Sequence, residues 1–197
     1  MRYRNLVASS STFLCWNLNR RSLQSLVAEL ARSRDVEVLV LLECDIDPAD
    51  VVLSLNQLDG LTFHHAASPA GAASETIRIF TRFLPKMLIP LRDSPRFTIR
   101  HMLLPGSEGV IVAAVHFPSK LYWNDDSQAL ECTEFARTIV EVEREVGHDR
   151  TVLVGDLNMN PFESGMVGAV GLNATMVREQ ASKGFRTVQG RRYPFFL

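Results

Sequence analysis

At 197 residues and 46% hydrophobic, the chain is long enough for one globular domain with a substantial core, and it is read as a single domain, 1–197, with 1–11 as an N-terminal extension. Its 21 Lys and Arg nearly balance 22 Asp and Glu, and the pI is about 6.5, which excludes a general basic field for nucleic acid. Any anionic substrate has to be held locally.

Cys15, Cys44 and Cys132 are odd in number, scattered in apolar runs and without metal spacing, so buried free thiols are expected. The first eleven residues lack an apolar run of signal-peptide length, and no stretch is long and apolar enough for a transmembrane span. A soluble, cytoplasmic protein is the expectation.

In chain order, Thr12-Phe13-Leu14-Cys15-Trp16-Asn17 is a short apolar run ending in an amide, a first strand. From Ser22 the period turns helical, with Leu23, Leu26, Val27, Leu30 and Ala31 on one face. Val36 to Leu42 is continuously apolar except for Glu37, and it predicts a buried strand that ends in Glu43. Asp47-Pro48 opens a second helix with Val51, Val52, Leu55 and Leu58 as its apolar face. This alternation points to helices packed on a sheet.

The middle of the chain changes character. Leu61 to Ala66, Thr76 to Phe83, Phe97 to Leu104 and Val110 to Phe117 read as four strands between Gly- and Pro-containing turns, an antiparallel meander. Helical period returns from Asp126 to Val146, with Cys132, Phe135, Ala136, Ile139, Val140 and Val146 as the stripe and Gly147 as the stop.

A buried strand, Thr151 to Val154, then runs into Gly155-Asp156-Leu157-Asn158 and is halted by Pro161. Asp156 and Asn158 are two apart, so in extended backbone they point the same way; a plain turn is the competing reading. A short helix fits around Ser164 to Val170, and after Gly171 the periodicity fades towards an apolar end at Phe195-Phe196-Leu197.

Four predicted strands therefore end in polar groups: Asn17, Glu43, His116 and the Asp156/Asn158 pair. Strands often run into polar loops, but four such endings suggest a shared cleft at one edge of the sheets. Carboxylates and amides without a Cys/His cluster suit a hard divalent cation such as Mg²⁺.

In order and spacing, Phe13-Leu14-Cys15-Trp16-Asn17-Leu18, Leu41-Leu42-Glu43, Ala114-Val115-His116-Phe117 and Gly155-Asp156-Leu157-Asn158 resemble the motifs of the endonuclease/exonuclease/phosphatase superfamily. The resemblance covers about residues 12 to 163, and Gly-Asp-x-Asn followed by Pro is its most specific piece. It implies an α/β (α+β) DNase I-like fold: a four-layer sandwich of two mixed β-sheets with helices on the outer faces. It also implies a Mg²⁺- or Mn²⁺-dependent phosphoesterase or nuclease acting through activated water on a phosphate ester, nucleic acid being one such substrate.

Carried over by residue, the resemblance makes Glu43 the principal metal ligand, with Asn17 beside it. Asp156 would position or activate water, Asn158 would hold a phosphate oxygen, and His116 would donate to the phosphate. Glu75, in Ser74-Glu75-Thr76, stands where a glutamate would orient that histidine.

One departure stands out. The family closes its site with an Asp-His pair near the C-terminus, and after Asn158 this chain has neither histidine nor aspartate. A truncated form lacking the C-terminal strands, with the apolar end left uncovered, is the preferred expectation; a crippled relative, or a non-catalytic binding module keeping the fold and part of the metal site, is the alternative.

The remaining candidates read more simply. His64 and His65 look like partly exposed histidines, and His101 and His148 like structural ones, the latter a cation at a helix end. Asp125 and Asp126 look like helix N-caps. Ser119 and Lys120 could touch a phosphate or lie in a solvated loop. Arg20 and Arg21 could rim an anion site or simply precede a helix. Asp45 and Asp47 could extend a metal shell, although Asp47 before Pro48 is a routine helix start.

Overall fold

A computed structural model describes residues 11–57, 62–68, 76–104 and 108–195. The chain forms two compact units, one of residues 1–116 with 148–156 and one of residues 117–147 with 157–197.

The first unit holds two four-stranded sheets. Sheet one has the order β1 (Phe13–Asn17), β2 (Val38–Leu42), β4 (Ile77–Thr81), β3 (His64–His65). Its β1/β2 pair is parallel and the others are antiparallel. Sheet two has the order β5 (Leu88–Asp93), β6 (Phe97–Met102), β7 (Val110–His116), β8 (Thr151–Asp156), with only β7/β8 parallel. The expected pair of mixed sheets accompanied by helices is what the chain builds.

β2 explains why its stretch of sequence is apolar without alternation: every residue in it is buried. Leu39 and Leu41 face α1 (Gln24–Ser33) and α2 (Pro48–Asn56), packing with Val27, Ala31, Val51 and Leu55. Val38, Val40 and Leu42 face the other way, against Met102, Val112 and Ala114 of sheet two. Successive side chains of a strand point to opposite faces, so a strand sandwiched between helices and a second sheet must be apolar throughout. Within this unit the layers run helices, sheet one, sheet two.

Several local expectations shift. In α1 the buried stripe is Val27, Ala28 and Ala31, while Leu26 is exposed. Asp47 caps α2 as expected, its carboxylate accepting from the amide of Ala49 at 2.7 Å. Leu58 and Leu61 lie outside the described residues, and the strand expected over Leu61 to Ala66 is short, His64–His65.

β5 was not anticipated. Pro90 breaks its pattern, and it occupies the sheet's edge with an irregularity between Pro90 and Arg92, where a missing ladder donor is tolerated. β8 is also an edge strand among the described residues and is half-buried rather than buried, because one side of it has no neighbouring strand there.

In the second unit α3 spans Asp125–Val146. Asn124, not Asp125 or Asp126, is its cap: the Asn124 side-chain oxygen accepts from the amide of Ser127 at 2.8 Å, and the two aspartates fill the first turn, where they suit the helix dipole. Gly147 ends it in the left-handed conformation. Cys132, Phe135, Ala136 and Ile139 are buried as expected, joined by Gln128 and Val142, with Val140 and Val146 only half-buried.

Two short helices follow, α4 (Ser164–Val167) and α5 (Arg178–Ala181), and then an unanticipated hairpin, β9 (Phe185–Val188) with β10 (Arg191–Pro194). Gln189 and Gly190 both have positive φ, 49° and 77°, the signature of a two-residue hairpin turn.

Leu41 is fully buried between sheet one and the two helices, so Leu41→Ala is expected to cost about 2–5 kcal/mol of unfolding free energy. Denaturant titration followed by circular dichroism measures it, and a loss below about 0.5 kcal/mol, the level of an ordinary surface substitution, would contradict this placement.

Candidate active site

The two sheets of the first unit each present an edge strand, β1 and β8, and the candidate residues gather where these edges meet. Asn17 is the last residue of β1. Its amide nitrogen donates to Glu43 Oε1 at 3.0 Å and to Asp156 Oδ2 at 3.3 Å. Its oxygen accepts from the backbone amide of Asn19 at 2.9 Å, which fixes the direction of the amide: nitrogen towards the acids, oxygen towards the turn. One neutral donor thus sits between two carboxylates.

Glu43 follows β2 immediately. Its backbone is left-handed, φ 47°, an uncommon state for a residue with a long side chain. The conformation is tied at both ends: its amide donates to the Thr76 carbonyl at 2.9 Å, and its carbonyl accepts from the Arg20 amide at 3.0 Å. Such backbone costs about 1–3 kcal/mol and persists where surrounding bonds over-determine it, most often at functional sites. Arg78, which the sequence did not single out, helps: its Nε donates to the carbonyl of Cys44 at 2.9 Å.

His116 closes the group. It is the last residue of β7, in parallel register with Asp156 of β8, and its backbone amide donates to the Arg96 carbonyl at 2.8 Å. Its Nε2 lies 3.3 Å from Glu43 Oε1, the oxygen that also accepts from Asn17. Both side chains are largely covered, at 14% exposed for His116 and 26% for Glu43, leaving a narrow solvent-facing edge.

Gly155 explains the residue before Asp156. Its φ is 143°, and a Cβ there would sit 1.9 Å from the carbonyl oxygen of Val115. Only glycine lets β8 lie this close to β7 with Asp156 beside His116.

The structure brings together Asn17, Glu43, His116 and Asp156. Asn158 belongs to the second unit, where its amide nitrogen donates to the Phe117 carbonyl at 2.7 Å and its own carbonyl accepts from Gln128 Nε2 at 3.1 Å. Asp156 and Asn158 would point the same way in extended backbone, but the strand ends at Asp156 and Asn158 is left-handed at φ 50°. Glu75 lies outside the described residues.

The simpler readings largely hold. Asp45 is exposed, and Asp47 caps α2. Arg20 contributes its backbone amide to Glu43. Lys120 bridges Asp125 at 2.8 Å and Glu163 at 2.6 Å, bonds that hold its pKa above the ordinary lysine value. His65 packs at 5.2 Å from the Phe80 ring, and burial, then Arg78, pushes its pKa down. His148 follows α3 but is not the expected cation: burial first, then Arg150 and His101, pushes its pKa down and favours the neutral ring.

Cys15, expected as a buried free thiol, is free but only half-buried. It lies on β1 two residues before Asn17, on the same side of the strand. Burial, and secondarily the negative charge of Asp156, raises its pKa from 9.0 to about 11.

Among the described residues no group of three or more His, Cys, Asp or Glu side chains is arranged to hold a metal. The oxygens that face the group are those of the two carboxylates, since the Asn17 oxygen is turned to the Asn19 amide, and Mg²⁺ characteristically uses one or two carboxylates and fills its shell with water and phosphate. The residues present fit such an ion.

The sequence matches the Endonuclease/Exonuclease/phosphatase family over residues 14–194, and the chain belongs to that family. Solved structures agree on the fold. A humanized D. rerio TDP2 is 18% identical, with TM-score 0.51, covering 94% of this chain and 80% of that one. C. elegans TDP2 is 17% identical, with TM-score 0.52, over 78% of this chain and 48% of that one. The human Nocturnin catalytic domain, with bound sulfate, is 13% identical, with TM-score 0.51, over 76% and 63%. The chain thus spans about half to four-fifths of the length of these relatives. No curated protein matches the sequence.

The Cys15 geometry predicts a thiol that resists alkylation near pH 8 in the folded chain and reacts once denaturant is added; rapid native labelling of Cys15 would contradict its placement. Because folding raises this pKa, its contribution to stability is complete below pH 9 and is lost as pH rises through about 11. Cys132, raised by burial to about 11, acts in the same direction. Thermal melts of wild type and Cys15→Ala across that range check the sign.

Proposed function

We propose that this chain is a phosphate-ester hydrolase of the phosphodiesterase or nuclease type. The observation that carries the reading is the convergence of Asn17, Glu43, His116 and Asp156 at the meeting edges of the two sheets, in a member of a family of nucleases and phosphatases. ANGEL2, whose structure is described as that of a 2',3'-cyclic phosphatase, shares the fold at 13% identity and TM-score 0.52.

Each side chain has a role that its chemistry supports. Glu43, with Asn17 beside it, would hold Mg²⁺ or Mn²⁺; when bound, such an ion offsets negative charge on the phosphate as a Lewis acid. Asp156 orients a water and accepts its proton. It is half-buried at a strand end, and the Asn17 amide restrains one of its oxygens.

His116, whose Nε2 lies 3.3 Å from the Glu43 carboxylate, would donate a hydrogen bond to a phosphate oxygen. Asn158 as a phosphate donor and Glu75 as a partner of His116 complete the reading and rest on the family resemblance. Asn17 has a second job: its N–H group keeps two carboxylates close without neutralising them, preserving the negative potential that attracts a cation.

The test uses a chromogenic phosphodiester with Mg²⁺ or Mn²⁺ and excess EDTA as control. Asp156→Asn keeps the shape and removes the base, and it is expected to lower kcat by about 10²–10⁴-fold with little change in KM. Glu43→Gln is expected to raise the metal concentration needed for half-maximal rate. Turnover that is absent under all conditions, or indifferent to both substitutions, would overturn the hydrolase reading and leave a non-catalytic binding module.

A further inference from the structure

The chain is nearly neutral as a whole, yet its last stretch is not. From residue 164 onward it carries five cations, Arg178, Lys183, Arg186, Arg191 and Arg192, against a single acid, Glu179. Most of these cations sit on or beside the β9/β10 hairpin, whose residues are largely exposed. An anionic ligand that the overall charge cannot gather would be gathered here.

The hairpin is held as a fixed platform within its unit. Asn173, 2% exposed, donates from its amide nitrogen to the carbonyls of Tyr193 at 3.1 Å and Pro194 at 2.7 Å. Arg186 Nη2 donates to the Val167 carbonyl at 2.7 Å, while its buried Nε has no hydrogen-bond partner. Two-stranded ribbons are marginal alone, so these anchors matter.

Pairing of Phe185 with Pro194 and of Arg186 with Tyr193 puts one aromatic ring on each face of the ribbon. The first face has Phe185 with the Arg192 guanidinium 4.4 Å from its ring centre; the second has Tyr193 with Arg186 and Arg191.

Each side of the hairpin borders a cavity. One, of about 780 Å³, is mainly apolar, lined by Phe162, Met176 and Phe185 with Lys183 and Arg186 as its cations and no acid. The other, of about 370 Å³, is bordered by Arg137, Arg191, Arg192 and Tyr193. Phe162 is 76% exposed and Met176 71%, so the mouth of the larger cavity is open and apolar.

We infer that the β9/β10 hairpin and its two flanking cavities form a binding surface for single-stranded nucleic acid. Three physical points select that ligand. The cations without acids call for an anionic backbone, and ring faces accept bases of any sequence by stacking. Concave sites of this size admit unstacked bases, which a duplex keeps stacked and paired and therefore cannot insert. The inference deepens the phosphoesterase reading, on which its meaning as a substrate surface rests, but the binding itself is separately measurable.

The test is fluorescence anisotropy of the full chain with a short labelled oligothymidylate in EDTA, across a salt series. Wild type is expected to bind the single strand more tightly than a duplex of equal length or phosphatidylserine vesicles. Lys183→Gln/Arg186→Gln/Arg192→Gln is expected to bind at least about tenfold more weakly and to flatten the log K against log salt slope by about 2, near 0.7 per cation lost. Lys183→Gln/Arg192→Gln, which leaves the Arg186 anchor intact, is expected to show the same trend at a smaller size.

Binding unchanged in both variants, absent in wild type, or stronger for duplex or vesicles overturns the inference. Chromogenic phosphodiester turnover is followed on the same proteins. If turnover persists while wild type fails to bind the oligonucleotide, this inference falls alone; if turnover is absent while binding behaves as expected, the hydrolase reading falls alone.

Discussion

The site depends on one amide. Asn17 reaches from the edge of one sheet and donates to a carboxylate on its own sheet and to another on the opposing sheet. Two acids at such proximity repel, and bringing them together costs energy unless donors or a cation answer them. A neutral amide answers the hydrogen-bonding need but not the charge. The amide holds the two carboxylates in place and adds no charge of its own, an arrangement in which a cation and an anionic phosphate could be held together.

The rest of the first unit can be seen as the means of holding that amide and its partners in register. β2 is buried on both faces, so the position of Glu43 at its end is set by the core on either side. The left-handed turn at Glu43 aims the side chain sideways towards Asn17 and His116, and bonds from Thr76 and Arg20 hold the turn. On the other sheet, close approach at Gly155 lets His116 and Asp156 stand side by side. The same glycine that reads in the sequence as a turn signal is, in the fold, a requirement of strand packing.

Much of this was legible in the sequence, for physical reasons. Strands buried on both faces, such as β2, show as unbroken apolar runs, and long amphipathic helices such as α3 show their period, so sheets and helices could be placed. The strand-end residues Asn17, Glu43, His116 and Asp156 stood out because polar groups follow apolar runs abruptly. β5 escaped because an edge strand tolerates Pro90, and the β9/β10 ribbon escaped because a ribbon with little buried side gives no alternation. The left-handed backbone at Glu43 and Asn158 leaves no compositional trace, so the i, i+2 argument for Asp156 and Asn158 failed. Arg78 was missed because its relevance comes from a contact between segments distant in the chain.

On the proposed function, Asn17, Glu43, His116 and Asp156 act as one unit on a phosphate ester. A double-mutant cycle on metal-dependent phosphodiester turnover, with Glu43→Gln, Asp156→Asn and the pair, tests it most directly. Residues that serve one transition state lose activity non-additively, so the double variant is predicted to be about as slow as the worse single variant. Losses that multiply, with each substitution acting independently of the other, would contradict the account.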